Sequence, residues 1–185
     1  GRPTGMWKPL AALAGLALVA GCSSGGGGGS VALTGAGATF PYPLYTKWIS
    51  EYAKVTPGIA INYQSIGSGG GIRQVTEGTV DFGASDAPMS DEQLLKAKDV
   101  LHIPTCLGAV VLAYNVEGVG PGLKLGPEAV AGIFLGEVKQ WDDPKIKADN
   151  PDVPLPAKPI STIHRSDGSG TTKIFLDYLS AVSPA

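Results

Sequence analysis

The sequence predicts an α/β fold built on a largely parallel sheet. Three segments of its first half each pass from a short strand pattern, through a turn of small residues, into a helical apolar pattern. These segments are residues 31–55, 59–76 and 80–95. Such alternation favours parallel strands joined by helical crossovers. With 185 residues, the chain is long enough for one large domain or for two small lobes.

The first two units place hydroxyl groups and backbone amides at the start of a helix. Thr39 and Phe40 directly precede a helix start that is marked by prolines, where N–H groups have no partner within the helix. The run 67–71 (GSGGG) opens the second helical pattern, with Ser68 as its hydroxyl. Each loop alone is also typical of a tight turn between a strand and a helix, but their repetition indicates an anion-binding edge.

The third unit ends its strand in an acidic residue. Asp86 follows the strand pattern of residues 80–84, and open α/β sheets bind ligands at the carboxyl ends of their strands. The alternative is that Asp86 forms a turn ahead of Pro88. Ser90 and Gln93 then have the spacing of a capping box, which predicts a helix start.

A fourth helix start combines more anion-binding groups than any of these. The run 165–172 (RSDGSGTT) precedes a helical apolar pattern over residues 174–182. Its glycines let successive N–H groups point one way, and the helix start adds a partial positive charge. Arg165 adds a planar, permanently charged fork that suits a tetrahedral oxyanion. The run therefore predicts a loop that cradles an anion.

The region between the third unit and this loop is predicted from apolarity and turn residues. Residues 100–115 have the pattern of two buried strands, with Cys106 as a small buried apolar side chain. Residues 128–134 have the pattern of a short amphipathic helix that Gly136 ends. Residues 160–164 have a strand pattern that would deliver the chain to Arg165.

The first thirty residues have the features of an export signal and a tether. An apolar run over residues 10–20 leads into LVAGC, which ends at Cys22 and resembles the lipobox of bacterial lipoproteins. We expect residues 1–22 to be a signal peptide with Cys22 as the lipidated residue; an ordinary cleaved signal is the alternative. Residues 23–30 are a glycine- and serine-rich linker.

Composition excludes several kinds of function. The 14 basic and 16 acidic residues form no basic cluster of the kind that binds nucleic acid. Two histidines and two cysteines, far apart, form no cluster of metal ligands, so neither a metal nor a cofactor is expected. An anion site in this chain must therefore work through local dipoles and a single arginine.

Four of these runs, in this order, resemble the PstS family, the substrate-binding proteins of bacterial phosphate ABC importers. They are TGAGATFP at 34–41, IGSGGG at 66–71, DFGASDAP at 81–88 and RSDGSGT at 165–171. The run 135–143 (LGEVKQWDD) is similar to a signature of the family's second lobe. The resemblance extends from residue 31 to the end of the chain.

The resemblance implies a two-lobed periplasmic-binding-protein fold of class II that closes over one phosphate. We expect lobe I over residues 31–104 and part of lobe II over residues 105–185. The family's chains are far longer, so the fold is expected to be incomplete, as in a truncated chain. The resemblance also implies the permease subunits of an ABC importer as partners and a monomer held by a lipid anchor. Its place would be the periplasm or the outer face of the cytoplasmic membrane.

Carried onto this sequence, the family's phosphate-contacting positions come from both lobes. They are Thr39, Phe40, Ser68, Asp86, Arg165, Ser169, Gly170 and Thr171, with Asp167 holding Arg165 in place. A carboxylate can face this anion because hydrogen phosphate carries an O–H that Asp86 can accept. Sulfate has no proton to offer at neutral pH, so we expect Asp86 to select against it.

Other functions remain open as alternatives. The chain could bind another oxyanion, such as sulfate, vanadate or molybdate, or act as a phosphatase on the same scaffold. His164, Asp167 and Ser169 lie close together in sequence, but the serine lacks the flanks of a nucleophile elbow. Residues 168–173 also lack the spacing of a P-loop. We therefore expect a binding protein and not an enzyme.

Overall fold

The structure is a computed structural model that describes residues 30–97 and 99–183. The predicted signal peptide, Cys22 and nearly all of the predicted linker lie outside these residues. Among the residues that are described, none of the helices combines the length and the apolarity needed to cross a membrane.

A three-stranded parallel sheet forms the first half of the fold. Strand β1 (Val31–Gly37) is central, and β2 (Ile59–Ser65) and β3 (Phe82–Ala84) pair with its two edges in parallel. Helix α1 (Tyr42–Val55) connects β1 to β2, and α2 (Ser68–Thr76) connects β2 to β3. The predicted α/β class with parallel strands is confirmed.

The register of the sheet brings the ends of its three strands to one edge. Gly37, the last residue of β1, lies opposite Ser65 and Ala84, the last residues of β2 and β3. Two further bonds extend this alignment into the loops. The Ala38 amide donates to the Ala84 carbonyl at 2.9 Å, and the Ile66 amide donates to the Gly37 carbonyl at 3.0 Å. The three loops that follow the strands therefore start side by side.

Small residues let the second helix pack closely on the sheet. A Cβ placed on Gly71 of α2 would lie 2.5 Å from the Cα of Gly37, so only glycine fits this position. The apolar residues on the other face are Ala38, Tyr63 and Ala84, with Tyr45, Ile49 and Phe82 packed against them. This cluster lies directly beneath the loop that joins β1 to α1.

Helix α3 (Asp91–Leu94) begins as the sequence predicts. The Ser90 hydroxyl accepts a hydrogen bond from the Gln93 amide, and the Gln93 side chain accepts one from the Ser90 amide at 2.9 Å. The predicted capping box is confirmed, although the helix that it starts has only four residues.

The second half of the fold is helical. Helices α4 (Pro127–Phe134), α5 (Pro144–Asp149) and α6 (Gly170–Val182) follow in order. The predicted helix over residues 128–134 is confirmed. Helix α5 was not predicted from the sequence, although Asp143 caps it by accepting from the Lys145 amide at 2.9 Å.

A second core holds α4 and α5 together, and α6 packs beside α4. The buried members of this second core are Ala129, Ile133, Val138 and Ile146. Partly buried apolar residues pack around them, namely Leu123, Leu125, Trp141, Leu155 and Ile160. The rings of Phe134 and Phe175 meet edge to face at 4.8 Å, which joins α4 to α6.

The two strands predicted over residues 100–115 are absent, and this prediction was wrong. This segment has no regular secondary structure, and Leu107 is 98% exposed. Cys106 is half-buried and free, and not the fully buried residue of a strand that was expected. Apolar composition marks a preference for burial, but a strand forms only where a second backbone pairs with it. No strand pairs with this segment within residues 30–97 and 99–183.

The strand predicted over residues 160–164 is also absent. The only strand-like pairing here is an isolated antiparallel bridge between Gln140 and Pro159, just before it. Ile163 is 93% exposed, although its β-branched neighbours gave the segment a strand pattern. The physical reason is the same, because no neighbouring backbone extends the bridge into a ladder in the described part of the chain.

Candidate functional site

The candidate site lies where the loops after β2 and β3 meet the start of α6. Ser68 is the first residue of α2 and is only 4% exposed. Its hydroxyl oxygen accepts a hydrogen bond from the Asp86 amide at 3.2 Å. The loop after β3 is thereby tied to the start of α2, as expected for a ligand site at the carboxyl ends of parallel strands.

The two oxygens of the Asp86 carboxylate differ in their environment. Oδ2 accepts a hydrogen bond from the Thr171 hydroxyl at 2.8 Å, which links the loop after β3 to α6 over 85 residues. Oδ1 is buried and has no hydrogen-bond partner among the described residues. A buried acceptor without a donor is costly, more so when it belongs to a charged group. Oδ1 is therefore poised to accept a hydrogen bond from a ligand.

The start of α6 presents two backbone amides beside this carboxylate. The Ser169 hydroxyl caps the helix by accepting from the Thr172 amide at 3.2 Å. The amides of Gly170 and Thr171, in the first turn, have no acceptor in the described structure. A Cβ on Gly170 would lie 2.9 Å from the Asp86 Cβ and closer still to the Ser68 hydroxyl. Glycine thus allows the helix start to approach both residues.

The loop between β1 and α1 closes a third side. Phe40, Asp86 and Thr171 line one cleft of about 300 Å³. The amides of Thr39 and Phe40 donate to no group that the structure describes, and both residues are exposed. They follow the buried Ala38 and precede a helix start, where free N–H groups and the helix dipole favour an anion.

Arg165 lies beside the start of α2 and is held by Asp167. Its Nε donates to Asp167 Oδ1 at 2.7 Å, and a terminal nitrogen donates to Oδ2. This paired hydrogen bond raises the pKa of Arg165 and lowers the pKa of the Asp167 carboxyl. A Cβ on Gly67 would lie 3.2 Å from the guanidinium, and the Gly69 amide donates to the Gly168 carbonyl at 2.8 Å. The predicted pairing of Arg165 with Asp167 is therefore present.

The assembled groups can bind a tetrahedral anion that carries a proton. The Ser68 hydroxyl proton and the free amides of Thr39, Phe40, Gly170 and Thr171 are donors, and Arg165 contributes charge nearby. Among these groups, Asp86 Oδ1 is an acceptor that has no partner in the described structure. A fully deprotonated anion would satisfy the donors but would leave Oδ1 unpaired.

Comparison with known proteins gives the family. Residues 23–185 match the sequence profile of the PBP superfamily domain, which is most of the chain. The chain belongs to the PBP superfamily. Curated relatives of the chain support the resemblance to the PstS family that the four sequence motifs between residues 34 and 171 indicate.

Two of these relatives are named phosphate-binding protein PstS. The one from Haemophilus influenzae is 54% identical over 152 residues, covering 82% of this chain and 45% of the relative. The one from Pasteurella multocida is 52% identical over 152 residues, covering 82% of this chain and 44% of the relative. The chain spans about half the length of the curated relatives it matches.

Solved structures confirm the fold of this PBP-superfamily chain. A substrate-binding protein assigned to a phosphate ABC transporter of Clostridium perfringens, with phosphate bound, has a TM-score of 0.58 at 20% identity. The match covers 79% of this chain and 55% of that one. An ABC-type phosphate transport receptor from Vibrio cholerae has a TM-score of 0.54 at 19% identity, covering 80% and 55%. The expected periplasmic-binding-protein fold, as a partial domain, is thus confirmed.

The surroundings of Ser169 and His164 bear on the alternative of a hydrolase. The Ser169 hydroxyl oxygen caps α6 by accepting from the Thr172 amide, and its proton remains available to a ligand, as that of Ser68 does. The Nδ1 atom of His164 lies 3.1 Å from the Arg165 carbonyl, and the structure gives no contact between His164 and Ser169. That arrangement does not match a catalytic triad.

One residue of the site was missed by the sequence analysis. Tyr63 was interpreted only as part of a strand, yet its hydroxyl donates to the Ala38 carbonyl at 2.7 Å, next to Thr39. The sequence gives only a weak indication of this role, because the tyrosine and the carbonyl that it contacts are 25 residues apart. The described residues hold no group of three or more histidine, cysteine or acidic side chains placed to bind a metal.

Proposed function

We propose that this chain binds inorganic phosphate as hydrogen phosphate, in the cleft between the sheet edge and α6. The observation that carries the proposal is the buried, unpaired Oδ1 of Asp86, whose other oxygen contacts Thr171 at the helix start where backbone amides are free. Donors alone would suit any oxyanion. A buried carboxylate oxygen among them suits only an anion that brings its own proton.

The proposed phosphate shell uses the predicted residues in different ways. The backbone amides of Thr39, Phe40, Gly170 and Thr171 and the hydroxyl of Ser68 donate to phosphate oxygens, and Asp86 accepts the phosphate proton. Arg165 supplies the compensating charge, and Asp167 fixes the direction of its guanidinium. Ser169 caps the Thr172 amide and can donate its own proton, while the Gly170 and Thr171 amides are free because the first turn of a helix offers them no acceptor.

We also propose a transport role, which the names of the similar solved structures support, and a location outside the cytoplasmic membrane, which the N-terminal sequence supports. The chain would be the substrate-binding component of an ABC phosphate importer, delivering phosphate to its permease subunits. It would act as a lipid-anchored monomer on the outer side of the cytoplasmic membrane, with Cys22 as the lipidated residue. The division into lobes at residues 31–104 and 105–185 is part of this proposal.

The proposal assigns no catalytic activity. The hydroxyl of Ser169 is engaged by the backbone of its own helix, and His164 faces a backbone carbonyl. A nucleophile needs a base within hydrogen-bond reach, and the described residues do not place one beside Ser169. Incubation with a chromogenic phosphate ester is expected to release no product.

Calorimetric titration of the whole chain at neutral pH tests the proposal. Phosphate is expected to bind at one site per chain, and sulfate roughly 30- to 150-fold more weakly. Asp177→Asn is the matched control, because Asp177 is an exposed carboxylate that pairs with Lys173 and does not line the cleft. Absence of phosphate binding, or equal binding of sulfate, would contradict the proposal.

A further inference from the structure

A buried phenol lies directly beneath the loop that carries Thr39 and Phe40. Tyr63 of β2 is 8% exposed, and its hydroxyl donates to the Ala38 carbonyl at 2.7 Å. The Ala38 amide is also engaged, because it donates to the Ala84 carbonyl at 2.9 Å. Both polar groups of residue 38 are therefore fixed, one by each of the outer strands of the sheet.

Fixing the Ala38 carbonyl also fixes the direction of the next amide. The peptide bond is planar and trans, so a carbonyl and the N–H of the following residue point in opposite directions. When Tyr63 holds the Ala38 carbonyl on the core side, the Thr39 N–H must point away from the core. That N–H has no acceptor in the described structure, and the next residue, Phe40, lines the cleft together with Asp86 and Thr171.

The next peptide is held in the same way but by a weaker contact. The Tyr42 amide donates to the Thr39 carbonyl at 3.2 Å, which sets the direction of the Phe40 N–H. This second bond is local to the start of α1. The first bond comes from a different strand, so it carries the position of the sheet into the loop.

We propose that Tyr63 is a positioning residue for phosphate binding, whose hydroxyl aims the Thr39 amide at the anion. This inference rests on the proposed function. The ring itself is held by packing, edge to face with Tyr45 at 5.1 Å and stacked with Phe82 at 6.1 Å. Removal of the hydroxyl alone should therefore leave the ring in place.

The protonation of the phenol supports this role. Burial raises the pKa of Tyr63 above its usual value, with smaller contributions from Tyr45 and Asp86. The hydroxyl thus keeps its proton, and remains a donor, throughout the pH range in which hydrogen phosphate is present.

Tyr63→Phe tests the inference, with Tyr114→Phe as its matched control. Tyr114 also donates its hydroxyl to a backbone carbonyl at 2.7 Å, that of Gly120, but it lies outside the site. Calorimetry is expected to show phosphate affinity about tenfold weaker for Tyr63→Phe, and within about twofold of the unmodified chain for Tyr114→Phe. Equal effects of the two variants would overturn the inference while leaving phosphate binding established.

Backbone amide NMR distinguishes positioning from general destabilisation. In Tyr63→Phe, phosphate is expected to shift the Gly170 and Thr171 amides as in the unmodified chain, but the Thr39 amide much less. Uniform changes at all three amides would overturn the inference. If Tyr63→Phe does not fold, titration of the unmodified chain decides: a downfield Thr39 shift as large as that of Gly170 supports positioning, and no Thr39 shift overturns it. Failure of the unmodified chain to bind phosphate would overturn the proposed function itself.

Discussion

Replacement of Asp86 by asparagine is expected to remove the discrimination between phosphate and sulfate. In the unmodified chain, sulfate would leave the buried Oδ1 without a donor, while hydrogen phosphate would supply one. An unmet hydrogen bond at a charged, buried acceptor costs about 2–3 kcal/mol. Because about 1.4 kcal/mol corresponds to a tenfold change in affinity, the carboxylate should disfavour sulfate by roughly 30- to 150-fold.

The asparagine side chain has the same shape but carries no charge and can donate through its amide. Sulfate binding should therefore strengthen, phosphate binding should weaken, and the two affinities should lie within about tenfold of each other. The assay is parallel calorimetric titration of both anions into the unmodified chain, Asp86→Asn and the Asp177→Asn control. A variant that still prefers phosphate by the original factor would refute the role of Asp86.

Three further predictions concern the groups around this carboxylate. The hydrogen bond from Arg165 lowers the pKa of Asp167 below 3.8, so the ion pair persists above that lowered pKa and is lost only as the pH falls through it. Carboxyl-carbon NMR should show a titration midpoint below 3.8 for Asp167. In Arg165→Gln, this midpoint should return toward 3.8. Gly170→Ala should weaken phosphate binding by about 5- to 150-fold, from an overpacking cost of about 1–3 kcal/mol. Gly120→Ala, with open space around it, should not weaken it. Burial raises the pKa of Tyr63 above 10.0, so the stabilisation that the protonated phenol contributes is complete below pH 10 and is lost as the pH rises through the raised pKa. Urea unfolding at a series of alkaline pH values should show this loss of stability. The Tyr63→Phe variant should not show it. A titration midpoint of Asp167 at or above 3.8 would contradict the first prediction. Equal phosphate affinities of Gly170→Ala and Gly120→Ala would contradict the second, and identical alkaline stability profiles of the unmodified chain and Tyr63→Phe would contradict the third.

The parts of the fold that the sequence predicts well depend on local chemistry. The capping box at Ser90, the helix before Gly136 and the helix starts after Phe40 and Gly67 follow from residues within a few positions of each other. Such signals need no knowledge of the rest of the chain. The parallel order of the three strands follows from the crossover rule in the same way.

The parts that failed depend on distant partners. The apolar segment 100–115 and the β-branched segment 160–164 have strand composition, but a strand is a property of two backbones, and neither segment is paired in the described residues. Helix α5 was missed for a different reason. Asp143 and Pro144 are a valid cap and first residue, but the six residues of α5 are too few to show a helical apolar period.

In the candidate site, too, local features could be predicted from the sequence and contacts between distant residues could not. The sequence and its family resemblance gave the groups that could meet an anion, including Ser68, Asp86 and Gly170. The hydrogen bond from Thr171 to Asp86 and the resulting isolation of Oδ1 arise only in three dimensions, because they join residues 85 positions apart. Tyr63 was missed because nothing in its local pattern marks the direction of its hydroxyl.

A crystal structure of the chain with phosphate tests the central claim most directly, through the distance from Asp86 Oδ1 to the nearest phosphate oxygen. The account predicts a short hydrogen bond of about 2.5–2.7 Å, as between a phosphate O–H and a carboxylate. The Thr39 and Gly170 amides should donate to other oxygens of the same anion. A phosphate bound elsewhere, or one that leaves Oδ1 without a partner, would contradict the account.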